Sequence, residues 1–122
     1  MRGGHTVEIA QLNLAVERIL KADRVVTVFV SSRAGIFTYG ESPRMTDRGM
    51  YSAITSMMLG AAEQMASEMD EILDYVLLSM SENNLIVIGA GQKHLIGILT
   101  DAKVDPEKMV KAARNILNEM MI

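Results

Sequence analysis

Two strand-like runs joined by a short polar connection decide the fold. They read Arg24-Val25-Val26-Thr27-Val28-Phe29-Val30-Ser31-Ser32, then Arg33-Ala34-Gly35, then Ile36-Phe37-Thr38-Tyr39-Gly40. The first run is β-branched and nearly all apolar, which is typical of a strand that is covered on both faces. Gly35 can supply the positive φ of a tight turn, so we expect an antiparallel hairpin.

Helical patterns lie at the two ends of the chain. Near the N-terminus, apolar residues follow the candidate cap Thr6 in steps of three and four, at Ile9, Leu12, Val16 and Ile19. Near the C-terminus, Asp105-Pro106-Glu107 combines a cap residue, a first-turn proline and an acid at the positive end of the helix dipole. Each pattern predicts a helix with one buried face.

Three further strands are expected between the central helix and the last one. They cover residues 72–80, 85–91 and 94–100, with a turn at Ser81-Glu82-Asn83-Asn84. Gly89 and Gly91 mark a second hairpin connection, and Gly35, Gly89 and Gly91 are the predicted turn glycines. The resulting order of elements is αββαβββα.

The central helix is predicted from Thr46 to about Met69 and is unusual in its distribution of side chains. One face carries large apolar residues and is the expected core face: Met50, Ile54, Met57, Met58, Ala61 and Met65. The opposite arc carries small residues, namely Ser52, Ala53, Ser56, Gly60 and Ser67, with Leu59 and Glu63 at its edge. An exposed helix face normally carries charges, so we expect another molecule to cover this arc.

Two features indicate where a partner binds. Gly60 costs about 1 kcal/mol relative to Ala in a helix, which suggests that another backbone approaches it closely. The strand at 72–80 would be an aggregation hazard as an unpaired sheet edge, so we expect it to pair with a second chain. The predicted dimer or partner interface contains Ser52, Ser56, Leu59, Gly60, Glu63, Ser67, Leu73, Tyr75 and Leu77.

Composition excludes several functional classes. The chain has 122 residues and no Cys. Its 12 Lys+Arg against 15 Asp+Glu give a net charge of −3, so there is no excess of positive charge to bind the phosphates of a nucleic acid. The longest uncharged apolar stretch, residues 49–62, is shorter than the roughly 20 residues that span a membrane. We expect one cytoplasmic domain over residues 1–122, with no nucleic-acid binding and no membrane insertion.

The sequence contains no convincing catalytic or cofactor motif. Ile88-Gly89-Ala90-Gly91 resembles the start of a dinucleotide-binding turn, but position 94 is His instead of Gly and a strand pattern follows. Ser31-Ser32 lacks a nucleophile elbow, although a spatial neighbour such as His94 stays possible. We therefore expect no catalytic residue, no metal ligand and no cofactor.

These elements together resemble a roadblock-type dynein light chain domain of the prokaryotic kind. The resemblance covers residues 6–121 and rests on Ser31-Ser32-Arg33-Ala34-Gly35-Ile36, the Met- and Ala-rich helix, the Gly89/Gly91 hairpin and the strand before the closing helix. It departs from the family at Ala34, where an acid is common, and at Asp105-Pro106, where a Leu-Gly step is common.

The resemblance implies a fold, an assembly and a function. The fold would be α+β and profilin-like, with a five-stranded antiparallel sheet, the central helix on one face and the terminal helices on the other. The assembly would be a homodimer that pairs the third strands and sets the central helices side by side. The function would be a non-enzymatic scaffold or regulator that binds a Ras-like small GTPase and modulates its nucleotide state or localisation.

Two alternatives stay open at the level of sequence. A small-molecule sensor of PAS, GAF or profilin shape would use the same sheet to line a pocket, with Tyr39, Tyr75 and His94 as candidate polar groups. A structural subunit of a larger complex would differ from the GTPase regulator only in its partner.

Overall fold

The computed structural model describes residues 9–43 and 47–120. Its elements follow the predicted order, and they are α1 (Ile9–Leu20), β1 (Val25–Ser32), β2 (Phe37–Gly40), α2 (Arg48–Glu68), β3 (Val76–Ser79), β4 (Asn83–Ala90), β5 (His94–Asp101) and α3 (Pro106–Glu119). The predicted caps Thr6 and Thr46 lie outside the described residues. Asp105 caps α3 as expected, since its carboxylate accepts hydrogen bonds from the N–H groups of Glu107 and Lys108.

All five strands form one antiparallel sheet, in the order β2-β1-β5-β4-β3. The predicted α+β fold class is therefore confirmed. Strand β3 lies at one edge and pairs only with β4 within the described chain. Its outer backbone groups face away from the sheet, which matters for the site described below.

The sheet separates two apolar cores because side chains alternate between its faces. On one face, residues such as Val28, Ile86 and Ile96 pack with α1 and α3. On the other face, Phe29, Leu95 and their neighbours pack under α2. The expectation that β1 is covered on both faces is thus confirmed.

The strand boundaries differ from the predicted ones at two places. The third strand is limited to Val76–Ser79, because residues 71–75 leave the β4 ladder. Asn83 and Asn84 were predicted as turn residues but belong to β4, opposite Asp101 and Thr100. Cross-strand hydrogen bonding outweighs the turn preference of asparagine here, since the Asn83 side-chain amide also donates to the Thr100 carbonyl at 3.1 Å.

The turn glycines are confirmed at two of three positions. Gly35 and Gly91 have φ of 92° and 76°, the conformation that tight turns require. Gly89 is different, because it lies within β4, opposite Leu95 on β5. Its assignment as a turn residue is wrong, and its lack of a side chain has another reason, given below.

Asp101 at the end of β5 makes stability depend on acid pH. Its carboxylate accepts hydrogen bonds from Lys103 N at 2.6 Å and Arg24 Nη1 at 3.1 Å, and these contacts lower its pKa below the usual 3.8. A lowered pKa adds stability that is present above the unfolded-state value and is lost as the pH falls through the folded-state value. We expect Asp101→Asn to lower the melting temperature near neutral pH and to reduce its fall between about pH 5 and pH 2.

Thermal melts across that pH range measure this effect. Glu41→Gln is the matched control, because Glu41 is also an exposed carboxylate next to a strand end. If both variants lose stability in acid as steeply as the parent chain, the contribution assigned to Asp101 is wrong.

Candidate functional site

Helix α2 turns the opposite face to the sheet from the one predicted. Ser52, Thr55 and Leu59 are buried against the sheet. The predicted core face is instead largely open, with Met57 70% and Met65 63% exposed. The assignment of the methionine face to the core is therefore wrong.

Close packing against the β1–β2 turn explains the reversal. A Cβ on Gly35 would lie 3.1 Å from Ser56 Oγ and 3.4 Å from the Cα of Ala53, so the turn nearly touches the helix. Only small side chains fit between backbones at such a separation. Ser56 thus serves the contact with the chain's own hairpin.

The open face of α2 is a continuous apolar surface, here named the α2 stripe. It consists of Met50, Ile54, Met57, Met58, Ala61 and Met65, of which only Met58 is half-buried. The stripe covers about four helical turns. An exposed apolar surface of this length typically marks an interaction site.

The residues predicted for the helix interface fall into three groups. Ser56 and Glu63 are half-buried and contact the chain's own turns, at Gly35 and at Arg33. Ser52 and Leu59 are buried inside their own chain, so their assignment to a partner contact is wrong. Gly60 and Ser67 are exposed on the flank of α2 beside the stripe, and no atom lies within 4 Å of a Cβ built on Gly60.

The residues predicted for the strand interface lie at the β3 edge of the sheet. Leu73 and Tyr75 are partly buried, and each packs on a different core. Leu77 in β3 is 37% exposed, as is its neighbour Leu78 at 38%. Exposed leucines on a strand whose outer edge is unpaired within the described chain form the second half of the candidate site.

An ion pair between Arg33 and Glu63 fixes α2 to the turns at one end of the sheet. The sequence analysis did not predict it. Arg33 Nη1 donates to both Glu63 oxygens, at 2.7 and 2.9 Å, and Nη2 donates to the Gly91 carbonyl at 3.2 Å. A Cβ on Gly89 would collide with this guanidinium. Gly89 lies inside a strand pattern, and a glycine at such a position can indicate that another group approaches the backbone closely.

We expect Gly89→Ala to displace the Arg33 guanidinium and to destabilise the chain by about 0.5–1 kcal/mol, an effect similar to that of Arg33→Ala. Because both substitutions remove the same ion pair between Arg33 and Glu63, the double variant should be little less stable than either single variant. Urea unfolding of the four proteins measures this coupling, and strictly additive losses would contradict the role given to Gly89.

A groove of about 620 Å³ opens between the first half of α2 and the β3 end of the sheet. Its lining is mainly apolar and includes Val26, Ile54, Leu78 and Met80, with Tyr51, Thr55 and Asn83 as polar members.

The three polar groups expected for a sensor pocket lie elsewhere. Tyr39 donates its hydroxyl to Glu17 at 2.7 Å, and Tyr75 packs on the core beneath α1 and α3. His94 begins β5, where burial and the neighbouring Lys93 lower its pKa, which favours the neutral imidazole.

Ser32 and His94 are direct neighbours across the β1–β5 ladder. The Ser32 hydroxyl oxygen accepts a hydrogen bond from the Ile36 N–H at 3.0 Å. Within residues 9–43 and 47–120, no three His, Asp or Glu side chains cluster in a way that could hold a metal ion. None of the helices in this part of the chain has the length and hydropathy needed to cross a bilayer.

Comparisons with known proteins agree with this architecture. The model of the Roadblock/LC7 domain family matches residues 11–100. A Roadblock/LC7 domain from Streptomyces avermitilis superposes with a TM-score of 0.77 at 10% identity, covering 89% of this chain and 93% of that one. No curated protein sequence matches significantly.

Two further solved structures are similar to the chain. Myxococcus xanthus MglB gives a TM-score of 0.77 at 15% identity, with 94% of this chain and 98% of that one covered. The gliding protein MglB from Thermus thermophilus gives 0.73 at 14% identity, with 94% and 93% covered. At such identities the superpositions establish the fold alone.

Proposed function

The chain belongs to the Roadblock/LC7 domain family, and on this premise we propose that it forms a homodimer that binds a Ras-like small GTPase and modulates its nucleotide state or localisation. The family match and the MglB neighbours support a role in regulating a small GTPase. The main observation in favour of a homodimer is that the exposed α2 stripe lies beside the edge of β3 that is unpaired within the described chain.

The order of residues along the α2 stripe supports a two-fold contact. The stripe is symmetric about the point between Met57 and Met58, since Met50 mirrors Met65 and Ile54 mirrors Ala61. In an antiparallel pair of α2 helices, each apolar residue would therefore meet an apolar residue of the second copy. Such self-complementarity is what a two-fold interface requires.

Strand β3 fits the same two-fold axis. Its midpoint lies between Leu77 and Leu78, and an antiparallel β3 pair about this point would use its free backbone groups. Ile54 and Leu78 line one groove, so the middle of β3 lies beside the first half of the α2 stripe. One axis can serve both contacts and extend the sheet from five to ten strands.

The exposed flank of α2 is the proposed surface for the GTPase. It contains Ala53, Gly60 and Ser67, and it stays open when the α2 stripe is covered by a second copy. Small uncharged residues let a partner approach the helix backbone closely. Roadblock/LC7 members are generally non-catalytic regulators, so this chain would supply shape while the GTPase supplies nucleotide and Mg²⁺.

Affinity capture tests this function. The immobilised dimer is incubated at low salt with lysate of the source cell and a non-hydrolysable GTP analogue, and bound proteins are identified by mass spectrometry. We expect a P-loop GTPase in the eluate, and at least a tenfold loss of it with Gly60→Leu, since a larger side chain blocks the flank. Recovery of no P-loop GTPase would contradict the proposal.

One observation favours the small-molecule sensor as a second candidate. The groove has a volume within the roughly 300–1,000 Å³ that ligand sites occupy. Its polar groups are only Tyr51, Thr55 and Asn83 among the described lining residues, which gives a ligand few orienting contacts. The apolar lining and its position beside β3 fit a second protein chain better.

A further inference from the structure

The α2 stripe is built mainly from methionine, although another apolar residue would cover the helix equally well. Met50, Met57, Met58 and Met65 are four of the 11 methionines in the chain. Leucine forms helices about as well as methionine and has a similar volume. What methionine adds is a thioether sulfur, which is polarizable and can be oxidised. The stripe is therefore an apolar surface whose polarity can be changed by a chemical modification.

The methionines of the stripe are open to solvent in the single chain. Met57 is 70% exposed, Met65 63% and Met50 43%. Met109 of α3 belongs to the core on the other face of the sheet and is 7% exposed. A small oxidant dissolved in water therefore reaches the stripe more easily than it reaches Met109.

The chain contains no thiol that competes with these sulfurs for an oxidant, because it has no Cys. With hydrogen peroxide as the oxidant, a sulfur lone pair attacks one peroxide oxygen, so that an S–O bond forms and the O–O bond breaks. Sulfur is oxidised by two electrons and the peroxide is reduced. The departing hydroxide takes up the proton of the transferred hydroxyl and leaves as water, and the side chain becomes methionine sulfoxide.

A sulfoxide on the stripe meets no hydrogen-bond donor among the other stripe side chains. Apart from the methionines, the stripe consists of Ile54 and Ala61, whose side chains are apolar. Covering the sulfoxide oxygen with a second apolar surface would remove its water without replacing the hydrogen bonds. In a two-fold contact each modified position occurs twice, so the penalty is counted twice.

We infer that the α2 stripe is a modification site, at which oxidation of Met57 and Met65 by a peroxide holds the chain in its monomeric form. This inference rests on the proposed homodimer and names a chemical signal that regulates it. The reaction acts on the free chain, because the second copy covers the stripe in the dimer. Reduction of the sulfoxides restores the apolar surface and with it the contact.

Treatment of the purified chain with hydrogen peroxide tests the inference. Peptide mass spectrometry locates the added oxygen, and light scattering over a dilution series gives the dimer Kd. We expect Met57 and Met65 to be oxidised before Met109, and the Kd to rise on the order of 100-fold. Methionine sulfoxide reductases for both sulfoxide epimers should then restore the Kd of the untreated chain.

The failure of the inference and the failure of the homodimer give different results. A chain that is oxidised at Met57 and Met65 and keeps its Kd overturns the inference and leaves the homodimer intact. Oxidation of Met109 ahead of Met57 also overturns the inference. An untreated chain that is monomeric at all concentrations overturns both.

A stripe without sulfur separates this effect from oxidation elsewhere in the chain. The variant carries Met50→Leu, Met57→Leu, Met58→Leu and Met65→Leu, which preserve the apolar surface, so it should dimerise like the parent chain and resist peroxide. Met69→Leu is the matched control, since Met69 is 61% exposed but lies beyond the end of α2, and this variant should stay as sensitive as the parent. Equal loss of the dimer in the two variants after treatment would overturn the inference.

Discussion

Met57→Arg is expected to convert the proposed homodimer into monomers at micromolar concentration. In the proposed antiparallel pair, Met57 meets Met58 of the second copy next to the two-fold axis, so two guanidinium groups would be brought together in an apolar contact. Burying unpaired like charges costs several kcal/mol, which corresponds to at least about a 100-fold weaker dimer. Light scattering coupled to size-exclusion chromatography measures the change in molar mass.

The fold of the monomer should survive this substitution. Met57 is 70% exposed in the single chain, so Arg at this position can reach solvent when no partner is present. Gly60→Leu is the control on the flank of the same helix and is expected to leave the dimer mass unchanged. A dimer that tolerates Met57→Arg and dissociates with Gly60→Leu would restore the original prediction that the small-residue arc is the interface.

Gly97→Val is expected to cause the largest loss of monomer stability, about 3 kcal/mol. Gly97 on β5 lies opposite Phe29 on β1, and a Cβ at this position would overlap the ring of Phe29. That ring is fully buried and packs near Phe37, with 6.4 Å between ring centroids. Because protein interiors are closely packed, the buried ring can move only by displacing its neighbours, so the added methyl groups strain the core.

Urea unfolding of Gly97→Val measures the loss, and a second substitution checks its cause. Phe29→Leu removes ring atoms from the position that the valine needs, so Gly97→Val should cost less in the Phe29→Leu background than in the parent chain. Equal costs in the two backgrounds would show that the ring is not what excludes a side chain at position 97.

The order of helices and strands could be read from local patterns because each pattern has one dominant cause. In α1, Leu12, Val16 and Ile19 repeat at helical spacing and are all buried. In β1, the apolar run is buried on both sides because α1 lies over one face of the sheet and α2 over the other. These features depend on neighbours in sequence, which a single sequence displays.

The face of α2 could not be assigned in this way because two surfaces compete for its apolar residues. A helical-wheel projection assigns the face with large apolar side chains to the core. That assignment holds where a helix packs against a single partner. Here the hairpin turn at Gly35 demands small residues such as Ser56 beneath the helix, and the methionines remain outside. Only the distance between helix and sheet decides between the two faces.

The contacts of the candidate site were harder to predict since they join residues far apart in the chain. Arg33 and Glu63 lie 30 positions apart, and their ion pair needs the bare backbone of Gly89 as a third participant. Gly89 was read as a turn residue because its sequence neighbours Ala90 and Gly91 begin a hairpin. Its true environment is set by a side chain from another loop.

Cysteine crosslinking tests the central claim, that two copies meet through the α2 stripe, most directly. The chain has no Cys, so Met57→Cys and Gly60→Cys each carry a single thiol on the same helix. Treated with a short bismaleimide, Met57→Cys should form a covalent dimer in high yield, while Gly60→Cys should remain mostly uncrosslinked. Rapid crosslinking of Gly60→Cys with none at Met57→Cys would contradict the account.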